Sequence, residues 1–165
     1  MKRLITALVL LFGIVLLSGC TNTKPYAGVD IGKERTETLL KLDKDIAAFK
    51  KSFKAYTLDE TKVGKAKRDL KVVRNDALKI MDGKQTSLIN SSYRLLNEGM
   101  VSDMSWSAST GSSAHVYANV FDQIYMQALH QTLNTGTPKL SAAQKNKVTA
   151  AFEKKASILS IAEAK

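Results

Sequence analysis

Two stretches of apolar residues, spaced alternately by three and four positions, constrain the fold of this chain most strongly. One lies within residues 39–56 and the other within residues 63–80, and both follow the spacing 3-4-3-4-3. That spacing places every member on one side of an α-helix. The members are Leu39, Leu42, Ile46, Phe49, Phe53 and Tyr56 in the first stripe, and Val63, Ala66, Leu70, Val73, Ala77 and Ile80 in the second.

The break between the two stripes is short, so the two helices are expected to fold back on each other as an antiparallel hairpin. Thr57-Leu58-Asp59-Glu60 predicts a capping box there, with Thr57 as the N-cap and Glu60 reaching back to it. Each stripe spans fewer than three heptads, which favours packing within the chain over a coiled-coil dimer.

Three more helices are predicted downstream. They are expected at about residues 84–98, at about residues 113–133, and from Ser141, where Gln144 completes a second capping box. A polar stretch, residues 102–113, is predicted to be a loop. The expected inward-facing residues of the last two helices are Val116, Tyr117, Val120, Phe121, Ile124, Ala128, Val148, Phe152, Leu159 and Ala162. Because no segment alternates as a strand would, the predicted fold is an all-α bundle of four or five helices with an N-terminal antiparallel hairpin.

The first twenty residues have the layout of a secretory signal peptide. Lys2 and Arg3 precede an apolar run, and small residues then lead to Cys20, the only cysteine of the chain. The run has about 14 apolar residues, fewer than the roughly 20 of a transmembrane helix. The sequence Leu17-Ser18-Gly19-Cys20 resembles the lipobox of bacterial lipoproteins.

The lipobox resemblance implies cleavage before Cys20 by signal peptidase II, a diacylglycerol on its thiol and an N-acyl chain, such as palmitate, on its new amine. No other cofactor is expected. Residues 1–19 would then be the signal peptide, 20–35 a flexible lipidated tether and 36–165 a single helical-bundle domain. A tether of that length would reach about 50 Å. Thr21, where an aspartate would retain such proteins at the inner membrane, favours the periplasm-facing leaflet of the outer membrane. The alternative is the outer face of the cytoplasmic membrane.

The charge of the chain suggests anionic partners. The formal net charge is +10, and it falls to +8 without Lys2 and Arg3. Residues 36–82 and 137–165 each carry a net charge of +4. A basic surface attracts polyanions, which in a cell envelope are anionic lipids or cell-wall polymers, and nucleic acid is not an expected partner. The alternative is that these residues form ordinary solvated helix faces.

Two features are candidates for binding. An amide row, Asn119, Gln123, Gln127 and Gln131, recurs every four residues on the fourth helix. Amides donate and accept hydrogen bonds, so this row could pair with the backbone of a partner or with sugar hydroxyls, or be a mildly polar solvent face. Trp106, the only tryptophan, lies in the polar loop. It is either a binding residue for a partner or a plug over one end of the bundle.

No catalytic or metal-binding residues are predicted. The motifs of a nucleophile elbow, a Walker loop and a zinc protease are absent from the sequence, and His115 and His130 would lie about 22 Å apart along one helix. The expected function is therefore non-enzymatic. A lipid-anchored accessory protein would bind another envelope protein, in a layout that resembles secretion pilotins and conjugation or phage exclusion factors.

Two alternative functions remain open. Leu140-Ser141-Ala142-Ala143-Gln144 resembles the Leu-Thr-x-x-Gln signature of periplasmic helical stress chaperones, which implies a chaperone or envelope-stress sensor with exposed apolar surface. A cell-wall enzyme is the other alternative, and it would require a cleft with paired carboxylates.

Overall fold

Six α-helices form the structure, a computed structural model that describes residues 24–100 and 111–163. The helices are α1 (Lys33–Leu58), α2 (Val63–Met81), α3 (Thr86–Gly99), α4 (Gly111–Asn134), α5 (Ala142–Ala156) and α6 (Leu159–Ala162), with a 3₁₀ turn at Glu60–Lys62. The described ranges contain one isolated bridge, Tyr26 to Val29, and no strand. The predicted all-α bundle is confirmed.

The helical hairpin is built on the two apolar stripes. All six residues of the first stripe are buried, and in the second only Val63 and Ile80 are half-buried. Asp45 of α1 lies beside Asp76 of α2, at similar distances from the turn, as an antiparallel pair requires. The spacing of apolar residues therefore predicts this part of the fold correctly.

The fourth helix is central, as its broad apolar face predicts. It packs against α1, α2, α3, α5 and α6. A chain of aromatic rings links it to two of these helices. The ring centroids of Phe49 and Phe121 are 4.8 Å apart, those of Phe121 and Tyr125 are 5.3 Å apart, and those of Tyr125 and Phe152 are 5.5 Å apart. Such tilted and edge-on pairs are favourable beyond the area that they bury.

One of the two predicted capping boxes is present. At the start of α5, the backbone N–H of Gln144 donates to Ser141 Oγ at 3.2 Å, and the N–H of Ser141 donates to Gln144 Oε1 at 2.9 Å. The prediction for Thr57 is wrong, because α1 continues to Leu58 and the Thr57 hydroxyl donates to the carbonyl of Lys54 within that helix. Asp59 caps the 3₁₀ turn instead, accepting from the N–H of Thr61.

The prediction that Val116 faces inward is wrong, and the predicted fifth helix ends earlier than expected. Val116 is 58% exposed, because its neighbour Tyr117 faces α3 and successive helical residues point about 100° apart. The fifth helix ends at Ala156, since Ser157 has an extended backbone that turns the chain and buries Ile158. Leu159 therefore lies in a separate short helix, where it is half-buried and packs against the core as predicted. The side chain of Ala162 lies outside the described residues.

The N-terminal end of the bundle starts earlier than residue 36. Tyr26, Val29 and Ile31 are buried, and α1 begins at Lys33. A tight turn positions them, in which the N–H of Val29 donates to the carbonyl of Tyr26 at 2.9 Å. The predicted tether, residues 20–35, therefore differs from the structure over its last ten residues. A search for helical spacing misses these residues because a turn buries apolar side chains without such a period.

We expect Gly99→Ala to destabilise the fold, because a Cβ at this position would lie 2.7 Å from Cε1 of Tyr117. Overpacking of this kind costs about 1–3 kcal/mol of unfolding free energy. Gly64→Ala is the matched control, since its Cβ would meet only the Arg68 side chain at 3.7 Å. The control should stabilise α2 by about 0.5–1 kcal/mol. Urea unfolding measures both, and an equal response of the two variants would contradict this packing.

Candidate functional site

A cleft of about 580 Å³ lies where the start of α1, the end of α4 and the second half of α2 meet. Its volume is within the range of about 300–1,000 Å³ that is typical of ligand pockets. Most of its wall is formed by two helix turns that contain threonine, one at the start of α1 and one at the end of α4, together with the loop after α4. The lining residues are Glu34, Arg35, Thr38, Lys79, Ile80, Gln131, Thr132, Thr135, Gly136 and Thr137.

We call this cavity the end cleft. Arg35 connects two of its walls, the start of α1 and the loop after α4. Its side chain is buried, with 6% of the residue exposed, and it donates from Nε to the carbonyl of Thr135 at 2.7 Å. Nη1 donates to the carbonyls of Pro138 at 2.5 Å and Ile31 at 3.3 Å, and Nη2 also bonds to the carbonyl of Thr135. Carbonyl groups at a helix C-terminus carry partial negative charge, so the guanidinium caps the end of α4 through carbonyl acceptors.

Gly32 allows the start of α1 to approach the loop after α4. Its φ is 85°, and a Cβ there would lie 2.6 Å from the carbonyl oxygen of Thr137. Both the strained backbone and the missing space therefore require glycine. The N–H and hydroxyl of Thr36 donate to the Gly32 carbonyl at 3.0 and 2.8 Å, which starts α1 directly behind this contact.

Several polar side chains of the cleft are available to a ligand. Thr132 and Thr135 use their hydroxyls within α4, donating to the carbonyls of Ala128 and Gln131. Across residues 24–100 and 111–163, in contrast, the side chains of Glu34, Thr38 and Gln131 make no hydrogen bond or ion pair. The cleft thus presents a carboxylate, a hydroxyl and an amide that have no partner within the described chain.

An acidic pair lies beside the cleft. Lys41 bonds to both Asp45, at 2.8 Å, and Asp76. Burial, with the hydrogen bond to Asp45, raises the pKa of Asp76. At Asp45, burial raises the pKa of the carboxyl, but the hydrogen bonds from Asp76 and Lys41 outweigh burial, so the pKa is lowered overall. Lys79, 4.0 Å from Asp76, connects this group to the cleft. Neither carboxylate lines the cleft, where the acidic residue is Glu34.

Asp122 is the one formal charge in the middle of α4, and it is half-buried. It accepts a hydrogen bond of 2.6 Å from the hydroxyl of Tyr125. Burial raises the pKa of the Asp122 carboxyl, and the bond from Tyr125 opposes that rise. This carboxylate does not line the cleft. Its hydrogen bond stabilises the position of a core tyrosine.

The structure separates the residues that the sequence proposed for binding. Gln131 lines the cleft, Gln127 is half-buried, and Asn119 and Gln123 are exposed further along α4. Trp106 and Cys20 lie outside the described residues. The two histidines are both exposed, and His115 Nε2 lies 3.0 Å from Glu163 Oε1. Within the described ranges, no group of three His, Cys, Asp or Glu residues could hold a metal ion.

Most of the cleft residues were not predicted from the sequence. Arg35 was assigned to the tether, and its acceptors lie 100 residues away in the sequence, so no local pattern reports the contact. The cluster Thr132, Thr135 and Thr137 around Gly136 was a usable signal. Loops that a rigid scaffold positions carry binding residues more often than other segments do.

The protein is an all-α bundle with a polar cleft at one end. No family model, curated protein or solved structure matches this chain. Of the helices formed by residues 24–100 and 111–163, none combines the length and the apolar character that crossing a membrane requires.

Proposed function

We propose that the protein is a lipid-anchored envelope protein that acts by binding, as an accessory factor, and that it catalyses no reaction. The anchor is Cys20, with its diacylglycerol and N-acyl chain, as the lipobox resemblance implies. The location is the periplasmic face of the outer membrane. The observation that carries the binding role is the end cleft, where Gln131, Thr38 and Glu34 have no partner among the described residues.

The chemistry of the cleft favours an extended segment of another envelope protein as the ligand. A peptide backbone presents one donor and one acceptor per residue. The amide of Gln131 and the hydroxyl of Thr38 can each donate and accept, whereas Glu34 accepts only. Lys79 adds a cationic donor at the α2 wall. This mixture suits a neutral polar chain better than a strongly charged ligand.

Photo-cross-linking of the full-length protein in its native membranes tests the proposal. A benzophenone amino acid at Thr137, on the exposed rim of the cleft, should capture a discrete envelope protein, identified by mass spectrometry. The same probe at Ser91, exposed on α3, should not capture that protein. Gln131→Ala should lower the yield about two- to tenfold, the effect of one lost hydrogen bond.

Gln123→Ala is the matched control for that substitution. It removes the same amide from the same row, at an exposed position that does not line the cleft. The yield from Thr137 should be unchanged in this variant. A Gln123→Ala effect equal to that of Gln131→Ala, or the same captured protein from Ser91, would show that the cleft is not the binding site.

A further inference from the structure

The N-terminal turn is fixed between α1 and α5 by a polar cluster. The hydroxyl of Tyr26 donates to Asp43 Oδ2 at 2.8 Å, and Lys155 Nζ donates to the same oxygen at 2.9 Å. The ammonium of Lys155 also lies 4.6 Å from the centroid of the Tyr26 ring, a cation–π distance. Tyr26, the first buried residue in the part of the chain that the structure describes, is therefore attached to the α1–α5 side of the bundle.

That attachment sets how far the bundle can lie from a lipid on Cys20. Five residues, 21–25, separate Cys20 from Tyr26. At most about 3.5 Å per residue, the Cα atoms of the two can be only about 20 Å apart. Helix α1, with 26 residues, is about 39 Å long by comparison. A lipid on Cys20 would therefore hold the α1–α5 side of the bundle next to the membrane.

A basic face surrounds this attachment point, and it consists of Lys24, Lys50, Lys147, Lys154 and Lys155. Lys147 Nζ would lie 3.5 Å from a Cβ on Gly28, directly over the turn. Lys154 is seven residues further along α5, on the same side of that helix. Lys50 Nζ, on α1, donates to the carbonyl of Lys155 at 2.6 Å, which places it at the junction of the two helices.

The neighbouring carboxylates leave an excess of positive charge on this basic face. Asp43 is engaged by Lys155 and Tyr26, and Asp30 accepts a hydrogen bond from the N–H of Gly32. Within the described part of the chain, Lys24, Lys147 and Lys154 have no ion pair or hydrogen bond. Each basic residue near an anionic membrane contributes about 1 kcal/mol of attraction.

We propose that this basic face lies on the anionic phospholipid headgroups of the membrane that holds the lipid anchor. The proposal rests on the proposed acylation of Cys20. It orients the bundle, because α2 and α5 both pack against α1 and α4 but do not contact each other. When α5 faces the membrane, the α2 wall of the end cleft points away from the membrane. This wall consists of Lys79 and Ile80, and it stays open to a partner.

The first test uses the lipoprotein purified from membranes. Its mass shows whether Cys20 carries acyl chains, and their absence would refute the proposed anchoring. The acylated protein is then placed in phosphatidylcholine vesicles, with or without about 30% phosphatidylglycerol. Amine labelling should show Lys147 and Lys154 protected about threefold or more only with the anionic lipid. Lys71, exposed on α2, should label equally in both. Equal labelling of all three lysines on an acylated protein would overturn the basic-face proposal alone.

The second test removes the lipid contribution with Cys20→Ser in the mature chain, residues 20–165, and measures sedimentation with the same vesicles. Reversing Lys24, Lys147 and Lys154 to Glu should weaken binding to anionic vesicles about a hundredfold, from the loss of three contributing lysines. The matched control reverses Arg68, Lys71 and Lys84, which are exposed on α2 and in the turn after it. Circular dichroism confirms that both variants fold. Similar losses in the two variants would mean that net charge, and not this face, determines binding.

Discussion

Replacing Phe49 by Ala should cost about 3–5 kcal/mol of unfolding free energy, the effect of removing a large aromatic side chain from a packed core. Phe49 is fully buried, and its ring centroid lies 5.5 Å from that of Phe53 and 4.8 Å from that of Phe121. The first contact is within α1 and the second joins α1 to α4. The cavity would therefore open between the hairpin and the central helix, where neither helix can collapse without losing its other contacts.

Chemical denaturation measures this loss, and Leu40→Ala on the same helix provides the control. Leu40 is 53% exposed, so its truncation should change the unfolding free energy by no more than about 0.5 kcal/mol. A loss below about 1 kcal/mol for Phe49→Ala would contradict the packing of α1 against α4. A loss for Leu40→Ala equal to that for Phe49→Ala would show that the side assigned to solvent is buried.

The hairpin and its core could be predicted because burial on a helix repeats locally. A residue such as Phe49 is recognisable from apolar neighbours three and four positions away, and these lie on the same face whatever the helix packs against. The Ser141 capping box was predictable for the same reason, since both of its partners lie within four residues. The Thr57 prediction failed, although its motif is equally local, because α1 continues for two residues beyond Tyr56 and Asp59 becomes the cap.

The cleft could not be predicted because its geometry depends on pairs that are distant in sequence. Gly32 is required by the carbonyl of Thr137, and Arg35 by the carbonyls of Thr135 and Pro138. Each of these residues has an ordinary sequence environment. Gln131 was proposed from its spacing, but the same spacing gave Asn119, Gln123 and Gln127 equal weight. Only the position of the loop after α4 distinguishes Gln131 from the other three amides.

The second large effect is expected at Arg35. Arg35→Ala should lower the unfolding free energy by about 3 kcal/mol, since it removes charge-assisted hydrogen bonds and the packing of a buried aliphatic stem. It would also leave the carbonyls of Thr135 and Pro138 without this donor in a partly buried setting. Arg35→Lys should recover only part of the loss, because one ammonium cannot reproduce the planar fork of the guanidinium.

Two measurements distinguish the capping role of Arg35 from a general effect of surface charge. Lys33→Ala removes an exposed cation two residues earlier and should change the unfolding free energy by no more than about 0.5 kcal/mol. Hydrogen exchange in Arg35→Ala should accelerate selectively in the last turn of α4, including the amide of Thr135 that donates to the carbonyl of Gln131 at 3.1 Å, while amides of α2 near Leu70, far from the cleft, keep their protection. If exchange rose equally in both regions, Arg35 would be supporting the whole bundle. If it rose in neither, the loop after α4 would hold its position without the guanidinium, and the cleft would owe its shape to the contact between Gly32 and Thr137.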